Sequence, residues 1–313
     1  MIFMSSSRDL RRAAALLCVV AAAGCSASGA GDLPVPREAS DLVLPLDDYH
    51  LAPEDQARVQ RARFMLVKDC MRRFRIDFEG PSTEPVRYPR NAAYLDWFDP
   101  DRAEKYGYAG PPGQAEEESA AQTGIRGYSV TDEQFYVLEG KARRFRGQAV
   151  PRGGCFTEAD GILNRGAEGV SEAERAKKFN DKELLTFSYD AADLAWKDLR
   201  IRAAERSWST CMKGSGFDYA TPADASGDPR WAVTAADDHI EKPRGTLAEI
   251  ETAVADADCR LDTNYCGVRQ VVYADYQKRI IARHRDRLAS IKMLNATRLA
   301  NAAKLLGGEI TTR

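Results

Sequence analysis

The sequence contains seven cysteines, the residue type that can take the most different chemical roles in this chain. A thiolate can attack a substrate, bind a metal ion or enter a disulfide. Catalysis by a thiol needs a base close to it in space, and the chain has only three histidines, none in a recognisable motif with a cysteine. We therefore interpret the central Cys211, in the stretch STCMKGSGFDY, as structural.

A weak internal repeat surrounds two of the cysteines. Residues 70–78 (CMRRFRIDF) and 211–219 (CMKGSGFDY) both read Cys, Met, a basic residue, three variable positions, an apolar residue, Asp and an aromatic residue. A long helical pattern precedes each copy, and a loop containing proline and glycine separates it from the next cysteine. The repeat predicts two similar halves, each closed by one disulfide.

The predicted disulfides join Cys70 to Cys155 and Cys211 to Cys259, and they leave Cys266 free. A bridge from Cys211 to Cys266 in place of Cys259 is the main alternative. On the chain-entropy model each bridge stabilises the fold by about 4 kcal/mol, which is comparable with the stability of a whole domain. Disulfides therefore account for these cysteines without a catalytic role.

Two aspartates, Asp77 and Asp218, occupy equivalent positions in the repeat. A carboxylate pair could perform acid–base chemistry, which makes a cell-wall hydrolase or transferase the alternative function. Helix capping or a hydrogen bond to a loop is the simpler interpretation. The sequence has neither a His-Glu-x-x-His motif nor a phosphate-binding loop. We therefore predict no catalytic residue, no metal and no cofactor.

Residues 79–113 are rich in proline and aromatic residues, and they are the best candidate for a binding surface. Tyrosine and tryptophan combine a large apolar face with a polar edge, which suits carbohydrate or protein partners. The alternative is that these side chains form a lid over the core of the first half. The candidate binding residues are Tyr88, Tyr94, Trp97, Phe98, Tyr106 and Tyr108.

The N-terminus has the features of an export signal. Arg8, Arg11 and Arg12 precede an apolar run, Ala13–Ala23, of about ten residues, which is too short to span a bilayer. The run ends in Ala22-Ala23-Gly24-Cys25, which resembles a bacterial lipobox. The motif implies that Cys25 carries acyl chains such as palmitate and becomes the first residue of the mature protein. An ordinary cleaved signal with a coincidental cysteine is the alternative.

The lipobox predicts a folded part at the extracytoplasmic face of the cell membrane, held there by the lipid on Cys25. Residues 25–48 contain serine, glycine, alanine and proline without apolar periodicity, and they predict a disordered tether. The chain has 45 Lys and Arg against 47 Asp and Glu, a net charge of −2. This balance gives no basis for a nucleic-acid partner.

Helical patterns fill most of the remaining sequence. Capping boxes at Thr131, Ser171 and Thr246 predict helix starts. The first of these helices is expected to continue to about Arg144, and one last helix is expected over about Val268–Leu306. In all, the patterns predict about six helices and little strand. The weak strand candidates are residues 42–44 and 125–130.

The predicted fold is mainly α, with two helical halves that meet near Gly166. The predicted organisation is a lipoprotein signal peptide over residues 1–24, a disordered tether over 25–48, a first helical half with the aromatic loop over 49–166, and a second helical half with a long C-terminal helix over 167–313.

Several further motifs occur across residues 50–290. They are Tyr106-Gly107-Tyr108 and Val150–Cys155 in the first half, and Trp208-Ser209, Cys211-Met212, Asp228–Trp231 and Ala253–Cys259 in the second. Together they resemble uncharacterised secreted lipoproteins of high-GC Gram-positive bacteria, the Streptomyces group and its relatives. The resemblance implies a surface location and structural cysteines, and it implies no catalytic residues. Cys266 departs from the pattern, which has an apolar residue there.

The sequence therefore favours a non-enzymatic, membrane-anchored interaction protein of the cell envelope. Its predicted partner is an extracytoplasmic protein or a cell-wall glycan, bound by the aromatic loop. A solute-binding lipoprotein is a third possibility after the hydrolase, but that class normally alternates strands and helices. A cleft with two carboxylates about 5–9 Å apart would favour the hydrolase. An aromatic groove without perturbed titratable groups would favour the binding protein.

Overall fold

Helices make up most of the structure, a computed structural model that describes residues 33–167, 183–231 and 245–307. These ranges contain twelve α-helices, three short 3₁₀ helices and one two-stranded hairpin. The prediction of a mainly α protein is confirmed. The signal peptide, the lipidation residue Cys25, the start of the tether and the capping box at Ser171 lie outside the described residues.

The elements are numbered in chain order. The first six helices are α1 (Pro53–Arg73), α2 (Ala92–Leu95), α3 (Pro100–Tyr106), α4 (Gln114–Thr123), α5 (Asp132–Leu138) and α6 (Gly154–Leu163). The next six are α7 (Glu183–Ala195), α8 (Leu199–Gly214), α9 (Pro222–Ser226), α10 (Leu247–Asp262), α11 (Tyr265–Arg283) and α12 (Arg285–Leu306). The strands are β1 (Arg144–Phe145) and β2 (Gln148–Ala149), and the 3₁₀ helices are Ala39–Asp41, Pro45–Tyr49 and Pro229–Trp231.

Helix α1 forms where the sequence predicts a helix. Pro53 occupies its first turn, where a proline needs no amide donor, and Glu54 and Asp55 face the positive end of the helix dipole. Residues at helical spacing, such as Val67 and Met71, are fully buried. They pack against α6 and α12, so the C-terminal helix of the chain completes the core around α1.

Two predicted helix boundaries are wrong. The helix that starts at the Thr131 capping box ends at Leu138 instead of near Arg144. The chain then forms the β1–β2 hairpin, because Arg146 (φ 47°) and Gly147 (φ 81°) together make the left-handed turn that such hairpins favour. The predicted single C-terminal helix is interrupted at His284, whose backbone (φ −115°, ψ 26°) separates α11 from α12.

The predicted disordered tether is also wrong over its second part. Leu42, Leu44 and Leu46 are 5%, 1% and 1% exposed, and they pack into the cores around α7 and α11. We call residues 33–50 the strap. The three leucines stand at alternate positions and all face the molecule, and the composition of the segment conceals this pattern.

Side-chain amides of the last two long helices hold the backbone of the strap. Gln277 accepts a hydrogen bond from the Leu46 amide at 2.8 Å, and Gln270 donates to the Asp41 and Val43 carbonyls at 2.8 and 3.0 Å. The strand candidate at residues 42–44 forms no strand and belongs to no sheet. The other strand candidate, residues 125–130, is also outside the hairpin.

The structure contains the two disulfides predicted from the repeat. Cys70 of α1 joins Cys155 of α6 across a Cα–Cα distance of 5.7 Å, and Cys211 of α8 joins Cys259 of α10 across 5.6 Å. Cys266 is free and buried in α11. Each bridge therefore connects the end of a long helix to a second helix that packs beside it.

The two repeat segments end their helices with the same backbone geometry. Arg75 (φ 55°) and Gly216 (φ 93°), which align in the repeat, both adopt positive φ after the last turn. The amide that follows each of them donates back to the carbonyl of the buried methionine, Met71 in one segment and Met212 in the other, at 3.3 and 2.9 Å. This is the hydrogen bond of a Schellman motif, which satisfies a carbonyl at the helix end.

Helices from both sides of the predicted boundary near Gly166 pack together. Helix α12 lies along α1, and α3 lies along α10. The described residues belong to one compact unit that begins at Leu33. No helix in the described part of the chain is both long and apolar enough to cross a bilayer.

The free thiol gives the first testable prediction. Burial raises the pKa of Cys266 to about 12, so iodoacetamide is expected to leave it unmodified in the native protein at pH 8. In concentrated guanidinium chloride without reductant, Cys266 is expected to become the labelled cysteine of the described part, as read by peptide mapping. Labelling of Cys259 instead would establish the alternative bridge to Cys266.

Candidate binding site

The six aromatic residues predicted to bind a partner are packed into the molecule. Tyr94 and Phe98 are 8% and 9% exposed, and the other four are partly buried. Phe98 stacks on Tyr108 with ring centroids 5.3 Å apart, and Tyr94 contacts Tyr273 of α11. Phe98 and Tyr108 pack against α10 and Tyr94 against α11, so these rings do not form a freely exposed surface.

Four of the six aromatic side chains nevertheless line one cavity of about 280 Å³. We call this cavity the aromatic pocket. Helix α2, the turn that follows it, α3, α4 and α10 surround it. Its aromatic walls are Tyr88, Trp97, Phe98 and Tyr108, and its charged lining residues are Asp96, Arg102, Glu118 and Arg260. Tyr94 and Tyr106 lie outside this lining.

The buried carboxylate of Asp256 supports the pocket from below. Asp256 is 0% exposed and accepts hydrogen bonds from Trp208 Nε1 at 2.8 Å and from the Tyr108 hydroxyl at 3.1 Å. Arg260, one turn further along α10, donates to both of its oxygens at 2.7 and 3.0 Å. Burying the Tyr108 hydroxyl beside this carboxylate raises the pKa of Tyr108. The Tyr108 ring is therefore held in one orientation.

Arg260 connects this carboxylate to the pocket lining. It donates to the Asp96 carbonyl at 2.5 Å and pairs with the Asp96 carboxylate at 3.0 Å. Its guanidinium also lies 5.5 Å from the centroid of the Phe98 ring. Burial disfavours the charge of Arg260, but the two carboxylates outweigh burial and raise its pKa well above the usual value. Arg260 stays charged at every physiological pH.

Asp96 follows α2 in the left-handed conformation, with φ 53° and ψ 44°. Aspartate tolerates this region better than most residues, and the turn directs the chain from α2 into Trp97 and Phe98. Burial acts to raise the pKa of Asp96, but the charges of Arg260 and Arg269 outweigh it, so the pKa is lowered. Asp96 is therefore a carboxylate at neutral pH.

The rim opposite Asp96 is formed by Tyr88, Arg102 and Glu118. Burial and the nearby Glu118 charge raise the pKa of Tyr88, so its hydroxyl stays protonated. Arg102 lies 5.2 Å from the centroid of Phe98, and its Nε is buried with no hydrogen-bond partner among the described residues. A buried donor without a partner is rare in proteins.

Three lining residues of the pocket, Asp96, Tyr88 and Arg260, have shifted pKa values. Every shift above moves a pKa away from neutrality, so none of these groups changes its charge near pH 7. Asp77 and Asp218 are both exposed, and neither lines the aromatic pocket. Within the described ranges, no group of three His, Cys, Asp or Glu side chains is placed to hold a metal ion.

The sequence predicts the four aromatic walls of the pocket but not its charged lining residues. Arg102 and Glu118 lie on short helices in the same region of the chain, but Arg260 comes from α10, far away in the sequence. The helical spacing of Asp256 and Arg260 is the one available signal, because a carboxylate and an arginine four residues apart form an ion pair on a helix.

Comparison with known proteins identifies no relative. No protein-family model matches the chain, and neither the curated proteins nor the solved structures contain a significant match.

The Asp256 network predicts that asparagine substitutions at Asp256 and at Asp218 differ strongly in their effect on the free energy of unfolding. Replacement of Asp256 by asparagine is expected to lower the free energy of unfolding by about 3 kcal/mol, because Arg260 loses the fully buried one of its two carboxylate partners. Asp218→Asn, on the exposed surface, is expected to change it by less than about 0.5 kcal/mol. Urea unfolding at pH 7 measures both, and equal effects would contradict the assigned role of Asp256.

The lowered pKa of Asp96 predicts how stability depends on pH. A carboxylate with a lower pKa in the folded protein stabilises it above the unfolded pKa of about 4, and this contribution is lost as the pH falls. Asp96→Asn, which keeps the left-handed turn, is expected to be destabilising at pH 7 and progressively less so as the pH falls below about 4 through the lowered pKa of folded Asp96. Urea unfolding at pH 7 and at a series of acidic pH values tests this, and an effect independent of pH would contradict it.

Proposed function

We propose that this chain is a non-enzymatic binding protein of the cell envelope, anchored by a lipid on Cys25, whose aromatic pocket takes a sugar unit of a cell-wall glycan. The observation that carries the proposal is the convergence of Tyr88, Trp97, Phe98 and Tyr108 on one cavity that also presents charged donors and acceptors. This combination is typical of sites that bind a molecule with both apolar faces and hydroxyl groups.

The size of the pocket supports a small cyclic ligand. A volume of about 280 Å³ is at the lower end of small-molecule sites. A sugar ring presents C–H groups to aromatic faces and hydroxyls to its edge, where Asp96 accepts and Arg102 donates.

The location of the protein belongs to the same proposal. The apolar run and the lipobox-like Ala22-Ala23-Gly24-Cys25 support export and acylation. The two disulfides support an oxidising compartment, since disulfides persist mainly outside the cytoplasm. The resemblance to secreted lipoproteins points to the same compartment. A glycan of the cell wall would then be within reach of the anchored domain.

A pair of tryptophan variants tests the ligand class. Trp97→Ala removes a pocket wall and is expected to weaken binding of soluble peptidoglycan fragments by about tenfold or more, as measured by calorimetry. Trp196→Ala is the matched control, because Trp196 is 43% exposed and does not line the aromatic pocket. We expect its affinity to stay within about twofold of the wild type.

Two results would contradict the glycan proposal. One is an equal loss of affinity in both tryptophan variants. The other is wild-type protein that binds no wall fragment and instead captures an envelope protein, which would favour the protein-partner form of the hypothesis.

A further inference from the structure

A second and larger cavity lies on the other side of Tyr88. We call it the Arg90 cleft. It has a volume of about 570 Å³ and is bounded by the strap, the first turns of α1, residues 82–91 and the end of α4. Much of its wall is apolar. The larger apolar side chains facing it include Leu51, Val86, Pro89 and Ile125.

Two of the three arginines that line the cleft are already neutralised within the protein. Arg87 pairs with Glu54 at 2.7 Å, and Arg126 pairs with Glu117 at 2.6 Å. Arg126 also donates to the backbone carbonyl of Glu84 at 2.6 Å. Their charges therefore attract a ligand weakly.

The two carboxylates of the cleft are also engaged. Asp47 accepts hydrogen bonds from the Leu44 amide and from Asn91 Nδ2, both at 2.7 Å. Glu84 lies 4.0 Å from Arg61 at the exposed edge of the cleft. Neither carboxylate forms an ion pair with the third arginine, Arg90.

Arg90 is the exception among these charges. It is partly buried, and its one hydrogen bond runs from Nε to the Ala121 carbonyl at 3.3 Å. None of the described carboxylates lies within ion-pair distance of it. Burial lowers the pKa of Arg90, and the charge of Asp47 offsets this only in part. A desolvated guanidinium of this kind gains more from an anion than an exposed one does.

The groups beside Arg90 also favour an anion with a single charge. His50 lines the same cleft, and burial together with the Arg90 charge lowers its pKa to about 3, so its imidazole is neutral at pH 7. Gln60 is 6% exposed and lines the cleft, with no partner for its Oε1 among the described residues. Rotation of that amide presents a donor instead. The nearby Asp47 charge disfavours a dianion.

We infer that the Arg90 cleft binds a monocarboxylate with an apolar body, such as a medium-chain fatty acid. The carboxylate pairs with the free side of the Arg90 guanidinium, and the apolar body lies against Leu51, Val86 and Ile125. This site is separate from the aromatic pocket and does not depend on the glycan proposal.

Decanoate is a suitable probe, with 1-decanol as its uncharged counterpart. Calorimetry with the full chain at pH 7 is expected to show saturable binding of decanoate and at least tenfold weaker binding of 1-decanol. Arg90→Gln is expected to weaken decanoate binding about tenfold or more, because a charge-assisted bidentate pair is lost. Arg90→Lys keeps the positive charge but cannot form two parallel hydrogen bonds to a carboxylate. Its decanoate affinity is expected to lie between those of Arg90→Gln and the wild type.

Arg87→Gln is the matched control. It removes the same charge from the same cleft, but Arg87 is already paired with Glu54 and its side chain is 76% exposed. Its decanoate affinity is expected to stay within about twofold of the wild type. Equal losses in Arg87→Gln and Arg90→Gln, equal affinities of the wild type for decanoate and 1-decanol, or no saturable decanoate binding would each overturn the inference. The comparison of decanoate with 1-decanol and the test for saturable decanoate binding both use the wild type, so they test the inference even if a variant fails to fold.

Discussion

A single buried carboxylate organises the interior around the aromatic pocket. Asp256 has no access to solvent, so its charge must be satisfied by protein donors, and it receives them from Trp208, Tyr108 and Arg260. An uncompensated buried charge is among the most costly defects a protein can contain. These bonds join helix α8, helix α10 and the aromatic segment in the arrangement that leaves the pocket between them.

The second disulfide reinforces the same contact. Cys211 lies one turn beyond Trp208 on α8, and Cys259 lies one turn beyond Asp256 on α10. The two helices are thus joined twice in succession, by a polar bond and by a covalent one. The bridge restricts the unfolded chain, whereas the hydrogen bond selects the rotation of α8 about its axis. Together, the disulfide and the hydrogen bond hold Tyr108 and Arg260 at the pocket wall.

The sequence predicts the features that depend on local pattern. The start of α1, the caps at Thr131 and Thr246 and the two disulfide pairs follow from proline, capping residues and a repeat of nine positions. The tether prediction failed over the strap because single leucines at alternate positions carry no helical period and sit among polar residues. The amides of Gln270 and Gln277 that hold the strap lie more than 200 residues away. Arg90 and Arg260 were not predicted, because their roles depend on neighbours that are close in the fold and distant in the sequence.

Tyr88 is a common wall of the aromatic pocket and of the Arg90 cleft. A molecule on one side that fixes or displaces this ring changes the volume offered on the other side. The two occupancies are then thermodynamically linked, and each ligand must alter the affinity of the other by the same factor. The side chain of one tyrosine would thus couple the two cavities wherever a ligand moves its ring.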